Sequence, residues 1–191
     1  MVASNPKIFF AGDFVFELLF HVVSSALEPV TAIFGAPKEA TDDCDFIFIG
    51  NKTENTIEII DPQQSNTIKV KVERQSIEEA VSVLFIALYG EIFVGMDWQD
   101  LYLALSGGQE PVLFLGGLSE SELFQSKAKY EKAEGLFLHI SVPAEIGLDT
   151  INEVTIKFSD FLIPDANVVW TFSFDENLKE SVYSLFVKIC Q

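Results

Sequence analysis

Residues 76–89 read SIEEAVSVLFIALY, and Gly90 follows. A serine with a glutamate three positions on is the signature of a capping box, so Ser76 and Glu79 predict a helix N-terminus. Beyond the cap, Ala80, Val81 and residues 83–88 put apolar side chains on nearly every side of that helix. A helix with one apolar stripe can lie on a surface, but one that is apolar all round has to be covered all round. The chain must therefore supply packing layers both before and after it. That divides the sequence into a first half (1–75), a central helix with its exit (76–94) and a second half (95–191). Gly90 is the expected stop.

In the first half, KIFF (7–10) is a compact apolar run ended by Ala11-Gly12 and predicts a buried strand. Residues 14–27 have helical length and an almost wholly apolar surface, and Pro29 ends them. VTAIFGA (30–36) and DFIFIG (45–50) are further strands. Strand, helix, strand at this spacing is a βαβ unit, which builds a parallel sheet. NTIEIID (55–61) and NTIKVKVER (66–74) alternate apolar and polar residues and predict a half-exposed hairpin. The second half orders as helix (97–105, closed by Gly107-Gly108), strand (111–117), polar surface helix (119–134) and strand (135–142). A helix (149–162) striped by Ile151, Val154, Phe158 and Phe161 and two strands (166–174 and 181–189) complete it. The predicted class is α/β: a truncated Rossmann-like half, a buried central helix, and a four-stranded sheet with packed helices.

Twelve Lys and Arg against 29 Asp and Glu give a formal charge of −17. Such a surface repels phosphate backbones and anionic lipid, which argues against nucleic-acid and membrane-surface partners. The apolar share is 49%, with 18 Phe, so a large core is expected and a partner surface is allowed for. In the most apolar early window Asp13, Glu17 and His21 recur every fourth residue, so no membrane-spanning helix is expected. Cys44 and Cys190, with no secretory leader, fit a reducing cytoplasm. His21 and His139 stand far apart, and no metal-ligand spacing exists. His139 lies mid-strand and reads as structural, Gly107-Gly108 and Gly116-Gly117 as turns, and Trp98 and Trp170 as core anchors.

Several stretches in order resemble the FtsZ/tubulin superfamily. IPDANVVWTFSFDENLKESVYSLFVKI is similar to the last strands of the FtsZ C-terminal domain, and AEGLFLHISVPAEIGLDTINEV to the segment before them. GMDWQDLYLALSGG resembles the family's acidic loop and the helix that follows it, and KIFFAGDFVFELLFHVVSSALEPVTAIFGAPKEA resembles the opening of its GTPase domain. The resemblance implies an FtsZ C-terminal-like second half behind a shortened nucleotide-binding half.

The phosphate-binding loops of that family are glycine-rich, because backbone N–H groups must approach a phosphate closely. This chain has AGDF in place of the first loop and NKTENT in place of the second. Asp13 and Phe14 bring charge and bulk where glycine is expected, so autonomous GTP binding is not expected and no cofactor is assigned. A small ligand remains the alternative, in a crevice at the carboxyl ends of the first and third strands formed by Gly12, Asp13, Gly50, Asn51 and Lys52. Asp97 and Asp100 match the family's acidic loop, whose carboxylates reach the GTP of the next subunit; Gly95 stands where an asparagine is usual. The same two residues also suit a helix start, Asp97 as cap and Asp100 in the first turn. The resemblance implies association with itself or an FtsZ-type subunit, in the cytoplasm, through Gly95, Met96, Asp97, Trp98 and Asp100. It implies no enzyme activity beyond chemistry in trans.

Overall fold

A computed structural model describes residues 6–14, 30–36, 43–63, 66–73, 75–90, 96–107 and 110–189. The helix expected over 14–27 lies almost wholly outside the described residues, as do His21 and Cys190. The rest is a mixed α/β fold. Its strands are β1 (Lys7–Gly12), β2 (Thr31–Gly35), β3 (Phe46–Asn51), β4 (Thr56–Asp61), β5 (Asn66–Glu73), β6 (Val112–Leu118), β7 (Ala133–Val142), β8 (Asn167–Phe174) and β9 (Val182–Ile189). Its helices are α1 (Ile77–Tyr89), α2 (Trp98–Leu105), α3 (Glu120–Gln125) and α4 (Leu148–Ser159).

The nine strands make one sheet in the order β2-β1-β3-β4-β5-β6-β9-β7-β8. β1 pairs in parallel with β2 and β3, as a βαβ unit requires. β4 and β5 form the expected antiparallel hairpin, but only β5 alternates between buried and exposed; β4 is interior and mostly covered on both faces. The second half's four strands do assemble together, yet they are not a separate sheet, because β5 pairs in parallel with β6 and carries the hydrogen bonding across. β8 and β9, consecutive in sequence, are not neighbours: β9 inserts between β6 and β7.

Strand alternation sends side chains to two faces. On one face Ile8, Phe10, Phe48, Ile57, Val70 and Phe114 pack with α1 and α2. On the other, Leu136, Leu138, Ile140 and Leu185 pack beneath α4, which presents Ile151, Val154 and Phe158. α1 is buried along its length, as its composition demands. Ser76 Oγ accepts from the Glu79 N–H at 3.2 Å. The Glu79 carboxylate does not return to the cap, because it turns toward Gly116 on β6, and burial there pushes its pKa up.

Two further expectations are corrected. The surface helix of 119–134 is well under half its expected length: α3 ends at Gln125, one 3₁₀ turn (Lys127–Lys129) follows, and β7 begins at Ala133. Tyr130 sits fully buried with its hydroxyl donating to the Leu123 carbonyl at 3.0 Å, a side-chain bond that a continuing helix would break. Gly116-Gly117 is not a turn but lies within β6, where the register against β9 shifts between Leu115 and Leu118.

α2 seats directly on β7 at Gly135, where any added Cβ would run into the Ala104 carbonyl oxygen. Gly135→Ala should therefore force backbone movement and destabilise the fold by ~1–3 kcal/mol. Urea unfolding should show a lower midpoint with an unchanged slope; an unchanged midpoint would contradict this packing.

Candidate functional sites at the two ends of the central helix

α1 runs between two groups of residues that sequence reasoning singled out. Its N-terminal end faces the carboxyl ends of β1 and β3. There Gly12 (φ 87°) lies beside Gly50 in register, and the Asp13 N–H donates to the Gly50 carbonyl at 2.9 Å. Asp13 Oδ2 in turn accepts from the Lys52 N–H at 3.2 Å. The Glu54 N–H donates to Asn51 Oδ1 at 3.1 Å, and the Asn55 N–H to the Lys52 carbonyl at 3.3 Å. Four backbone N–H groups of this mouth, those of Asp13, Lys52, Glu54 and Asn55, are thus engaged within the chain itself. Above Gly50 there is no room: a Cβ there would lie 2.7 Å from the Ile77 side chain and 3.0 Å from the Phe14 ring. Phe14 is braced edge-on against Phe10, with ring centroids 6.0 Å apart. Lys52, the cation at this mouth, pairs at 3.3 Å with Glu78, whose side chain is 4% exposed. Gly12, Asp13, Gly50, Asn51 and Lys52 are therefore brought together as expected. Sequence reasoning missed Glu78, although a second acidic residue just inside the cap of a buried helix signals a charge that must find a partner.

The C-terminal end of α1 lies at the amino ends of β1 and β3. A cavity of about 300 Å³ opens here, lined by Pro6, Asp45, Phe46, Asp61, Gln63, Tyr89 and Trp98. Burial and the Asp45 carboxylate both push the Tyr89 phenol up. Trp98 packs on Phe46 with centroids 4.4 Å apart, and its Nε1–H is buried without an acceptor among the described residues. Trp98 opens α2 and Met96 is buried before it, whereas Gly95 lies outside the described residues.

Asp97 and Asp100 form a reciprocal cap at this same end. Asp97 Oδ1 accepts from the Asp100 N–H at 2.9 Å, and Asp100 Oδ2 accepts from the Asp97 N–H at 3.2 Å. Both residues are exposed. The cap bonds use one oxygen of each carboxylate and both residues are exposed, so capping does not exclude a second role. The thirteen residues of α1 span ~20 Å, so these carboxylates cannot reach a ligand at the mouth of β1 and β3 in their own chain.

His139 is not part of either group. It is 1% exposed, with Nδ1 2.9 Å from Thr171 Oγ1 and Nε2 3.1 Å from Ser173 Oγ, and burial lowers its pKa to about 4. Cys44 is buried, and among the described residues no group of three or more His, Cys, Asp and Glu could hold a metal. No helix among the described residues is long and apolar enough to cross a membrane.

The described residues thus combine a mixed α/β sheet, a buried central helix, an acidic helix start at one end of it and parallel strand ends at the other. A curated sequence relative supports an FtsZ/tubulin-like relationship. The chain is 25% identical to cell division protein FtsZ 1 of Methanocaldococcus jannaschii, over 70% of its own length and 40% of that protein's. Among solved structures it is similar to an empty FtsZ dimer from M. jannaschii (23% identity, TM-score 0.46, 58% of this chain and 35% of that one). A mutant of the same FtsZ matches at 23% identity and TM-score 0.47, over 60% of this chain and 38% of that one. No family model matches the chain.

Two outcomes follow. Asp97→Ala should cost ~1 kcal/mol of stability by uncapping α2, while Asp97→Asn, which keeps an acceptor oxygen, should cost only a few tenths; equal losses in chemical denaturation would contradict the cap. His139 titrates near 6.5 when unfolded and near 4 when folded, so the unfolded chain takes up the proton first as pH falls. Its contribution is intact above pH 6.5 and is lost down to about pH 4, by ~3 kcal/mol. Denaturation midpoints across that window should fall less steeply in His139→Asn.

Proposed function

We propose that the chain is a pseudo-GTPase relative of FtsZ that works by protein association, not by turning over a nucleotide of its own. The observation that carries this reading is the occupied mouth above β1 and β3. A triphosphate needs bare backbone donors and close approach. Here four of the mouth's N–H donors are satisfied within the chain, the Phe14 ring covers Gly50, and Lys52 is held by Glu78. The chain spans 40% of the curated relative it matches, so the assembly properties of a whole FtsZ come to it only as part of this proposal.

The organisation that serves this function is a reduced half (1–75), a connecting helix (76–94) and an association half (95–191). The Asp97 end is the docking face: Asp97, Asp100 and the part-exposed Trp98, with Gly95 before them, meet another subunit, either a second copy or an FtsZ-type protomer in the cytoplasm, while the buried Met96 supports them from beneath. A subunit with one polymer face and no nucleotide face ends a filament instead of extending it. The free oxygens of Asp97 and Asp100 could polarise a water only on that partner's nucleotide.

Pelleting and electron microscopy of an FtsZ with GTP test the reading. Added at a small molar fraction, the chain should shorten filaments and change GTP turnover, and Asp97→Lys with Asp100→Lys should abolish the effect. Unchanged filament length and turnover would contradict it.

A further inference from the structure

Three aromatic side chains from three elements wall the cavity at the C-terminal end of α1: Phe46 from β3, Tyr89 from α1 and Trp98 from α2. The walls are braced. Phe46 and Trp98 pack on each other, and Tyr89 meets the buried Phe85 at 5.0 Å between centroids. At about 300 Å³ the cavity suits a small ligand.

Its charge is of one sign. Asp45 and Asp61 line it, and among the described lining residues there is no lysine, arginine or histidine. Asp45 Oδ2 accepts from the Lys7 N–H at 2.7 Å, and its Oδ1 makes a long 3.5 Å contact with Gln63 Nε2. Both donors are neutral, so they leave the Asp45 charge in place. The Lys7 ammonium pairs at 3.8 Å with Asp43 instead. Asp61 is 5% exposed, and its Oδ1 accepts from the Gln63 N–H at 2.9 Å. Burial, and then the Asp45 charge, push the Tyr89 phenol up, so that charge acts across the cavity. The end of α1 adds to the same sign. A helix C-terminus carries the negative end of the dipole, and the last turn of α1 has no basic residue.

These features select the ligand by elimination. An anion would meet the carboxylates and the helix end. A neutral apolar molecule would strip water from Asp45 and return nothing. A bare metal ion needs several ligands, and among the described residues no group of three or more His, Cys, Asp and Glu could hold one. A flat organic cation satisfies every surface: a guanidinium stacks on aromatic faces and donates in a fork to carboxylates, while an alkyl stem covers the apolar wall. An ionised carboxylate has about four lone-pair sites, so the bonds already made at Asp45 do not exhaust it. We propose that this cavity binds an alkylguanidinium group, stacked against the Tyr89 and Trp98 walls with its N–H groups on Asp45 and Asp61. A free small molecule and the arginine side chain of a protein present this same group. The assignment does not depend on what docks at the Asp97 end.

Trp98 lines the cavity, so its emission reports occupancy. Trp170→Phe removes the other tryptophan, and the full chain is titrated with N-butylguanidinium. The response should saturate in the millimolar range and weaken with added salt. N-butylurea, neutral and of the same shape, should bind at least ~tenfold more weakly. Asp45→Asn, which keeps an acceptor for the Lys7 N–H, should weaken butylguanidinium by as much at an unchanged melting temperature. Glu153→Gln, exposed on α4 across the sheet, should change nothing. A blocked Gly-Gly-Arg-Gly-Gly peptide that binds as tightly as butylguanidinium assigns the group to a protein's arginine; exclusion of the peptide with butylguanidinium still bound assigns it to a free molecule. Isothermal titration of the unaltered chain repeats the measurement without the tryptophan substitution. No saturable response by either method, equal binding of the urea, or indifference to Asp45→Asn would overturn the proposal.

Discussion

Burial of α1 is the constraint on which the other features depend. Ile77, Ala80, Val81, Leu84 and Ala87 are each 1% exposed or less, so the helix cannot shift without opening the main core. Its start presses Ile77 toward Gly50 and brings Glu78 to Lys52. Its end sets Tyr89 beside Asp45 and leads into the Asp97 cap. One rigid element thus fixes two sites at opposite ends, ~20 Å apart. The acidic helix start and the β1–β3 mouth of one chain are therefore too far apart to act on one ligand.

The β1–β3 mouth keeps the outline of an anion-binding crevice while its chemistry is turned inward. Parallel strand ends and a glycine pair are in place, and such ends are where ligands collect in open α/β sheets. A carboxylate does the work that a bound anion would do: Asp13 accepts from the Lys52 N–H. An anion arriving there would have to displace a covalently attached competitor and meet its negative charge. Lys52 could offset that charge only by giving up its ion pair with the buried Glu78.

Much of this was legible in the sequence, and the exceptions have specific causes. Compact apolar runs located the strands within a residue or two, because β1, β3 and β6 bury consecutive side chains. The acidic pair at the start of α2 announced its cap because the spacing of Asp97 and Asp100 is local. What stayed hidden was non-local. The parallel pairing of β5 with β6 joins strands separated by α1 and α2, and no periodicity reports it. Glu79 matched a capping box, yet the approach of β6 drew its carboxylate away. Tyr130 read as one more helical residue until its hydroxyl found the Leu123 carbonyl. Around the sites, Phe14 and Asp13 were visible as bulk and charge, whereas the pairing of Lys52 with Glu78 needed the helix in place.

The most direct measurement is isothermal titration of the full chain with GTP and magnesium. If the loop's own donors and the Phe14 ring fill the mouth, no heat of binding should appear at millimolar nucleotide. Exchanging Phe14 and Asp13 for glycine should free the site sterically and electrostatically. Micromolar, magnesium-dependent binding by the unaltered chain would contradict the account at its root.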